Sequence, residues 1–242
     1  VKHQYVGDLN DYRKYALFRA LSASGLIRVG VCWMLTGSDG STDGSNLAYL
    51  SQPERHRNFD PELFDVLVSA SAAPDWRRLE TIEASGAIPN AIYQNALLPD
   101  DVAGRSVFMQ RCQSEFTHAD LIFFDPDNGL EVSVAMGRKN SSKYLYLNEV
   151  TEFYSCGKSL LIYQHFPRIE RKAFTTKCIA KLQLAAPDAD IWTFTTAHVV
   201  FFLLIHPLSA PDLTIAASQA SMQWSHDFIV VLQGGNEPPI HN

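Results

Sequence analysis

The sequence predicts an α/β fold of the doubly wound, Rossmann-like kind: a mostly parallel sheet, an antiparallel edge, and helices on both faces. Three observations predict it. The apolar run Leu121-Ile122-Phe123-Phe124 reads as a strand buried on both faces, as in a parallel sheet. Similar short runs alternate along the chain with longer amphipathic stretches, the pattern of strands joined by crossover helices. The last strands come close together with little helix between them, which suits an antiparallel edge.

Each element follows from local chemistry. Val6-Gly7-Asp8-Leu9-Asn10-Asp11 reads as a turn and helix start, with Asp8 or Asn10 as N-cap. Tyr12 to Ser22 then forms a helix with Tyr12, Ala16, Leu17, Ala20 and Leu21 inward, and Gly25 stops it. Val29 to Leu35 is a strand. Thr36 to Asn46 is a Gly/Ser/Asp loop without an apolar residue, long enough to suggest function. Asp60 before Pro61 caps a helix to about Ser69, and Pro74 opens another to about Ser85. Ala91–Leu97 is a strand, Ser106–Thr117 a helix, and Tyr144–Leu147 a short extended piece. Glu149–Ser155 is helical, Lys158–His165 a strand, Arg168–Leu184 a helix and Ile191–Thr195 a strand. Val199–Ile205 and Phe228–Leu232 complete the sheet. Residues 1–242 read as a single α/β domain with an N-terminal helical extension over about 1–25.

Composition narrows the function classes. At 46% hydrophobic and 19% charged over 242 residues, the chain has the material for one substantial core. Its formal net charge of −6 argues against coating nucleic acid by bulk charge. Cys32, Cys112, Cys156 and Cys178 are widely spaced, without a Cys-x-x-Cys pair. They read as reduced, mostly buried thiols of a cytoplasmic protein, not a disulfide framework or zinc site. His198–Ile205 is too short to span a bilayer, and no signal peptide is visible.

The chemistry concentrates after Phe124. The strand ends in Asp125-Pro126-Asp127-Asn128-Gly129, a sharp polar turn. In open α/β sheets ligands sit beyond the carboxyl ends of strands. A carboxylate and main-chain carbonyls there can accept hydrogen bonds from an amine. The pair Asp125 and Asp127 has the oxygens to hold Mg²⁺ instead. A plain turn, with Asp and Asn bonding their own backbone, is the ordinary alternative. The second element is the loop after Leu35. Thr36, Gly37, Asp39 and Gly40 stand where glycines let a cofactor approach backbone closely. Thr42-Asp43-Gly44 serves equally as a hairpin turn into Asn46–Leu50.

These stretches resemble S-adenosylmethionine-dependent amino methyltransferases with an Asp-Pro-Pro-Tyr motif. The layout is closest to the bacterial 23S ribosomal RNA adenine-N6 methyltransferases. Tyr5, Gly7, Asp11 and Lys14-Tyr15-Ala16-Leu17 are similar to that family's Tyr-rich start and Leu-Lys-His helix. Lys158 to Arg168 resembles the strand after its motif. The resemblance implies a methyltransferase version of the Rossmann-like fold with S-adenosylmethionine as cofactor. It implies that Lys14, beside Tyr5, His3 and Asp8, meets the cofactor carboxylate, and that Asp125 and Pro126 hold the acceptor amine. Asp127 and Asn128 stand where the family has Pro and an aromatic, so nothing at 128 stacks on a base. Tyr163 and Phe166 are the nearby aromatics.

Two further readings stand beside methyl transfer. His165, at the same sheet end, joins Asp125 and Asp127 in a candidate metal-dependent phosphoesterase or nuclease. A non-catalytic binding module on the same fold is the other. Arg138, Lys139 and Lys143 follow the turn, and Lys158, Arg168, Arg171, Lys172, Lys177 and Lys181 face Glu170 alone. Arg138, Lys139, Lys143, Arg168, Arg171 and Lys172 are the candidate phosphate contacts to RNA or DNA, although a solvated helix face carries such runs too.

Overall fold

A computed structural model describes residues 1–38, 40, 44, 46–224 and 228–233. Nine strands alternate with eight helices among them: α1 Leu9–Ser22, β1 Val29–Cys32, α2 Pro53–His56, α3 Pro61–Ala70, α4 Leu79–Ser85, β2 Ile92–Gln94, α5 Val102–Glu115, β3 Leu121–Phe124, β4 Gly129–Leu130, β5 Tyr144–Leu145, α6 Leu147–Ser155, β6 Ser159–His165, α7 Arg171–Ala185, β7 Asp190–Thr195, β8 Val199–Ile205, α8 Ala210–Gln223 and β9 Val230–Gln233. Seven strands form one sheet in the order β2-β1-β3-β6-β8-β7-β9, and β4 pairs with β5 beside it. β2, β1, β3 and β6 run parallel. None of the described helices is long and apolar enough to cross a membrane.

The period-2 alternation of the strands divides the core into two layers. Leu121, Phe123, Leu161, Phe201 and Leu203 point to the face covered by α1, α3, α4 and α8. Ile122, Phe124, Leu160, Ile162, Phe202 and Leu204 point to the face covered by α5, α6 and α7. α1 belongs to the first layer: Tyr12, Tyr15, Leu17, Phe18 and Leu21 are fully buried in it. Of the two candidates Asp8 and Asn10, Asp8 caps α1, and Asp60 caps α3 as expected. Asp8 accepts from the N–H groups of Asn10 and Asp11, and Asp60 from that of Leu63. All four cysteines are unpaired, and only Cys156 is exposed.

Three expectations are corrected. The reversed strand β8 lies inside the sheet, between β6 and β7; only β9 is an antiparallel edge. β8 is buried along its whole length, and an interior position covers such a strand on both faces. β7 and β8 do come close together, but a 14-residue helix, α8, separates β8 from β9. Its inner stripe is Leu213, Ala216, Ala217 and Ala220, at helical spacing but made mostly of alanine, which signals burial weakly. Helix α4 starts at Leu79 and not at Pro74. Trp76 packs where a side chain on Gly7 would stand, and Arg77 Nε donates to Val6 O at 3.2 Å, so this segment ties down the N-terminal turn.

Candidate functional site

The chain leaves β1 toward β2 on one side, while β3 lies on the other. The crevice between the carboxyl ends of β1 and β3 is therefore a topological switch point, the usual ligand position in such sheets. Past β1 the chain turns through Met34 at φ 46°, a left-handed backbone that costs a non-glycine residue about 1–3 kcal/mol. Strain of this kind is held in place by its surroundings. Here Met34 is fully buried, and its carbonyl faces the crevice.

Acceptors converge in that crevice. The Val1 nitrogen donates to Asp125 O (2.9 Å), Met34 O (3.2 Å) and Trp33 O (3.4 Å), and lies 3.3 Å from Asp127 Oδ1. Thr36 Oγ1 donates to Asp127 Oδ2 at 3.0 Å, and Lys2 Nζ lies 3.4 Å from the same oxygen. Three carbonyls and a carboxylate thus converge beside β1 and β3, and the buried Val1 and Lys2 fill the space between them.

Beside these acceptors lies a buried charge cluster. Lys14 Nζ sits 2.6 Å from Asp11 Oδ1 and 2.7 Å from Asp125 Oδ2, with the lysine only 2% exposed. The ammonium also faces the rings of Tyr15 and Trp33, at 5.2 and 5.3 Å from their centroids. Asp11 Oδ2 accepts from Tyr15 OH (2.8 Å) and Gly7 N (3.2 Å). Burial opposes the charge on Lys14, but Asp11 and Asp125 outweigh it and hold the ammonium above its ordinary range. Burial also pushes the Asp125 carboxyl up, against the pull of Lys14. Both shifts retain protons in a site with two carboxylates and one lysine. Burial and the electrostatic reach of Asp125, Asp8 and Asp11 keep the Tyr163 phenol protonated as well.

Asp8 carries the most readable shift. Burial and the Asp11 carboxylate push it up to about 6 from 3.8, despite its two cap bonds. A raised folded pKa means that the stabilising contribution is complete below the unfolded value and is lost as pH rises through the folded one. Between about pH 4 and pH 6 the protein should therefore lose on the order of 2–3 kcal/mol that an Asp8→Asn variant, still able to cap, does not lose. Urea unfolding of both proteins across this range checks it; parallel pH curves would refute it.

On the opposite side of β3 the turn builds a second concavity. A cleft of about 580 Å³ opens beyond β3 and β6, bounded by β4, β5 and α7. Gln164 is its keystone. The side chain accepts from Leu130 N (2.8 Å) and donates to Asn128 O (3.0 Å) and His165 O (2.8 Å). Gly129, at φ 115°, lies so close that a Cβ there would stand 2.3 Å from the Gln164 amide. Asn128 N donates to Lys143 O at 3.0 Å. The turn is thus clamped from both sides, and the Asn128 side chain stands exposed at the cleft.

The structure brings some sequence-derived candidates together and separates others. Lys14 meets Asp125, and Thr36 meets Asp127. Tyr5 is half-buried, with Lys2 5.8 Å from its ring centroid, and His3 Nδ1 accepts from Leu79 N at 3.2 Å. Gly37 and Gly40 are exposed; Asp39, and Thr42 and Asp43 of the hairpin reading, lie outside the described residues. Ala48–Ser51 is a 3-10 turn, not a returning strand. Pro126 is buried at the start of the turn. His165 lines the cleft with Asn128, away from the carboxylates of Asp125 and Asp127, which face Lys14 and Lys2. The described residues contain no group of three or more His, Cys, Asp or Glu placed to hold a metal. Phe166 is buried and packs on Phe174, while Tyr163 packs on Phe201.

The basic residues also divide. Arg168, Arg171 and Lys172 are exposed around the start of α7, Arg171 lying 5.4 Å from the Phe166 ring centroid. Exposed Arg138 and Lys139 sit on a loop tied to the start of α5, where Asn140 N donates to Asp100 Oδ2 at 2.9 Å. Lys158 Nζ bonds Thr117 O and Ala119 O at the opposite sheet end. Asp11, Met34 and Gln164 were missed as site residues. Only Asp11 had a signal, its i,i+3 spacing from Lys14. Comparison with known protein families, with curated proteins and with solved structures finds no match.

Proposed function

We propose that this chain is an S-adenosylmethionine-dependent methyltransferase-like protein acting on an amine. The observation that carries the reading is the convergence at the switch point. Three stretches far apart in sequence, Lys14, Thr36 and Asp125–Asp127, meet there within hydrogen-bond distance. The Trp33, Met34 and Asp125 carbonyls and the Asp127 carboxylate are acceptors of the kind an amino-acid ammonium needs, and a cofactor reaching them would displace the buried Val1 and Lys2. Lys14 fits a cofactor carboxylate less simply, because two carboxylates already hold it and a third anion must displace one.

The cofactor, when bound, supplies a methyl group on a sulfonium. The chain's own part is orientation: an amine lone pair aligned with that methyl needs little acid–base help. Asp127 and the carbonyls would hold the amino-acid end of the cofactor, and exposed Gly37 and Gly40 would leave its remainder room to approach the backbone. Pro126 would offer its carbonyl to an amine N–H, while Asp125 stays on Lys14 and fixes the turn.

Calorimetry with S-adenosylmethionine tests the reading. Binding is expected at or below about 1 mM. Gly37→Val places its new Cβ in open space, so folding should be unaffected. The bulk would still block backbone approach, and affinity should fall about tenfold, or ~1.4 kcal/mol. Absence of binding at millimolar cofactor overturns the reading.

A further inference from the structure

The cleft beyond β3 and β6 shares no lining residue with the crevice that holds Lys14, Thr36 and Asp127. Its volume, about 580 Å³, falls in the range of small-molecule sites. Leu130, Phe174 and Pro167 form apolar walls, and Val132 and Ile169 stand 60% and 59% exposed at its edge. Large apolar side chains left open at a concave site point to an apolar ligand surface.

The polar groups are few and differ in kind. Lys177 and Lys181 lie one turn apart on α7, and both line the cleft. Lys181 Nζ makes a long bond, 3.4 Å, to Glu131 O. The one carboxylate in the lining, Glu131, has an oxygen accepting from Leu147 N at 3.0 Å. Two ammoniums against one engaged carboxylate favour an anion. Asn128, exposed and also lining the cleft, carries a side-chain amide on a turn clamped by Gln164, Gly129 and Lys143. A side-chain amide has the donor and acceptor that match the edge of a nucleobase.

We propose that this cleft binds a nucleoside 5′-phosphate, with the base between Phe174, Ile169 and Val132, its edge on Asn128, and the phosphate on Lys177 and Lys181. The site stands without the methyl-transfer reading, and its test is run without that cofactor. Two sources carry the same chemistry, a free mononucleotide or one unit of a single strand.

Calorimetry of the full chain with each of the four ribonucleoside 5′-monophosphates, a single-stranded hexanucleotide, a free nucleoside and inorganic phosphate reads the site. At least one monophosphate or the hexanucleotide should bind at about 1 mM or tighter, and at least tenfold tighter than phosphate alone. A tenfold gain of hexanucleotide over monophosphate assigns the site to a strand; no gain assigns it to the free nucleotide. Lys177→Ala with Lys181→Ala, and separately Ile169→Glu, should each weaken binding about tenfold. These side chains are exposed or half-exposed, so melting temperature should hold. Arg111→Ala, exposed on α5 and outside the cleft, should change nothing. No binding at about 10 mM, binding that the cleft variants leave within twofold, or phosphate binding as tightly as the nucleotides would each overturn the proposal.

Discussion

Lys14→Met is expected to lower the free energy of unfolding by about 3–5 kcal/mol at neutral pH, measured by urea denaturation. The size follows from what the substitution leaves behind. Asp11 and Asp125 lie 2.6 and 2.7 Å from Nζ, and both are nearly fully buried. Methionine fills much of the lysine stem's space, so the loss is mainly the charge that held two carboxylates together. Those carboxylates would then bind protons more tightly folded than unfolded. A raised folded pKa gives stability that is present at low pH and lost as pH rises. The variant should therefore recover toward wild type as pH falls below about 5. Adding Asp125→Asn removes one of the stranded charges and should restore part of the loss at pH 7. A deficit under about 1 kcal/mol, or one independent of pH, would mean that the cluster is not a buried ion triad.

The same cluster shows what the sequence could and could not carry. The strand Leu121–Phe124, the caps Asp8 and Asp60, and the parallel sheet were legible because each depends on local pattern. The meeting of Lys14 with Asp125 spans 111 positions, and in the sequence Lys14 reads equally as a solvated lysine on an amphipathic helix. Only the fold distinguishes them, by burying the inner face of α1 against the sheet beside β3. The cleft was half legible. Asn128, His165 and the lysines of α7 were in view as residues, but the wall that joins them is long-range. Gln164 reads as one polar residue in an apolar strand, yet it fastens two loops. Helix α8 was lost for the opposite reason: its local pattern is helical, but alanine carries little hydrophobic signal.

Arg105→Met should match the Lys14 effect, about 3–5 kcal/mol of unfolding free energy, and should reach the cleft without touching it. Arg105 is 1% exposed and grips Glu149 through Nε (2.6 Å) and Nη2 (2.9 Å). Its remaining donors hold Ser141 O (3.2 Å) and Tyr144 O (2.7 Å). Glu149 in turn accepts from Tyr146 N at 2.9 Å, which caps α6. One guanidinium thus joins α5 to the segment that leads into β5. That segment supplies Lys143 O to the Asn128 N–H and Tyr144 to the cleft wall. Methionine leaves the buried Glu149 carboxylate without its counter-charge and removes the Arg105 bonds to Ser141 O and Tyr144 O, while Tyr146 N still bonds Glu149 and Tyr144 N still bonds Ser141 O, so stability falls and the turn loses part of its outer clamp. Adding Glu149→Leu removes the stranded charge, and an apolar pair of similar volume can recover most of the stability. It does not replace the Arg105 bonds to Ser141 O and Tyr144 O. The double variant should therefore regain its melting temperature but still bind the cleft's ligand more weakly than wild type. Recovery of stability and binding together would place the support of Asn128 elsewhere, in Gln164 and Gly129 alone.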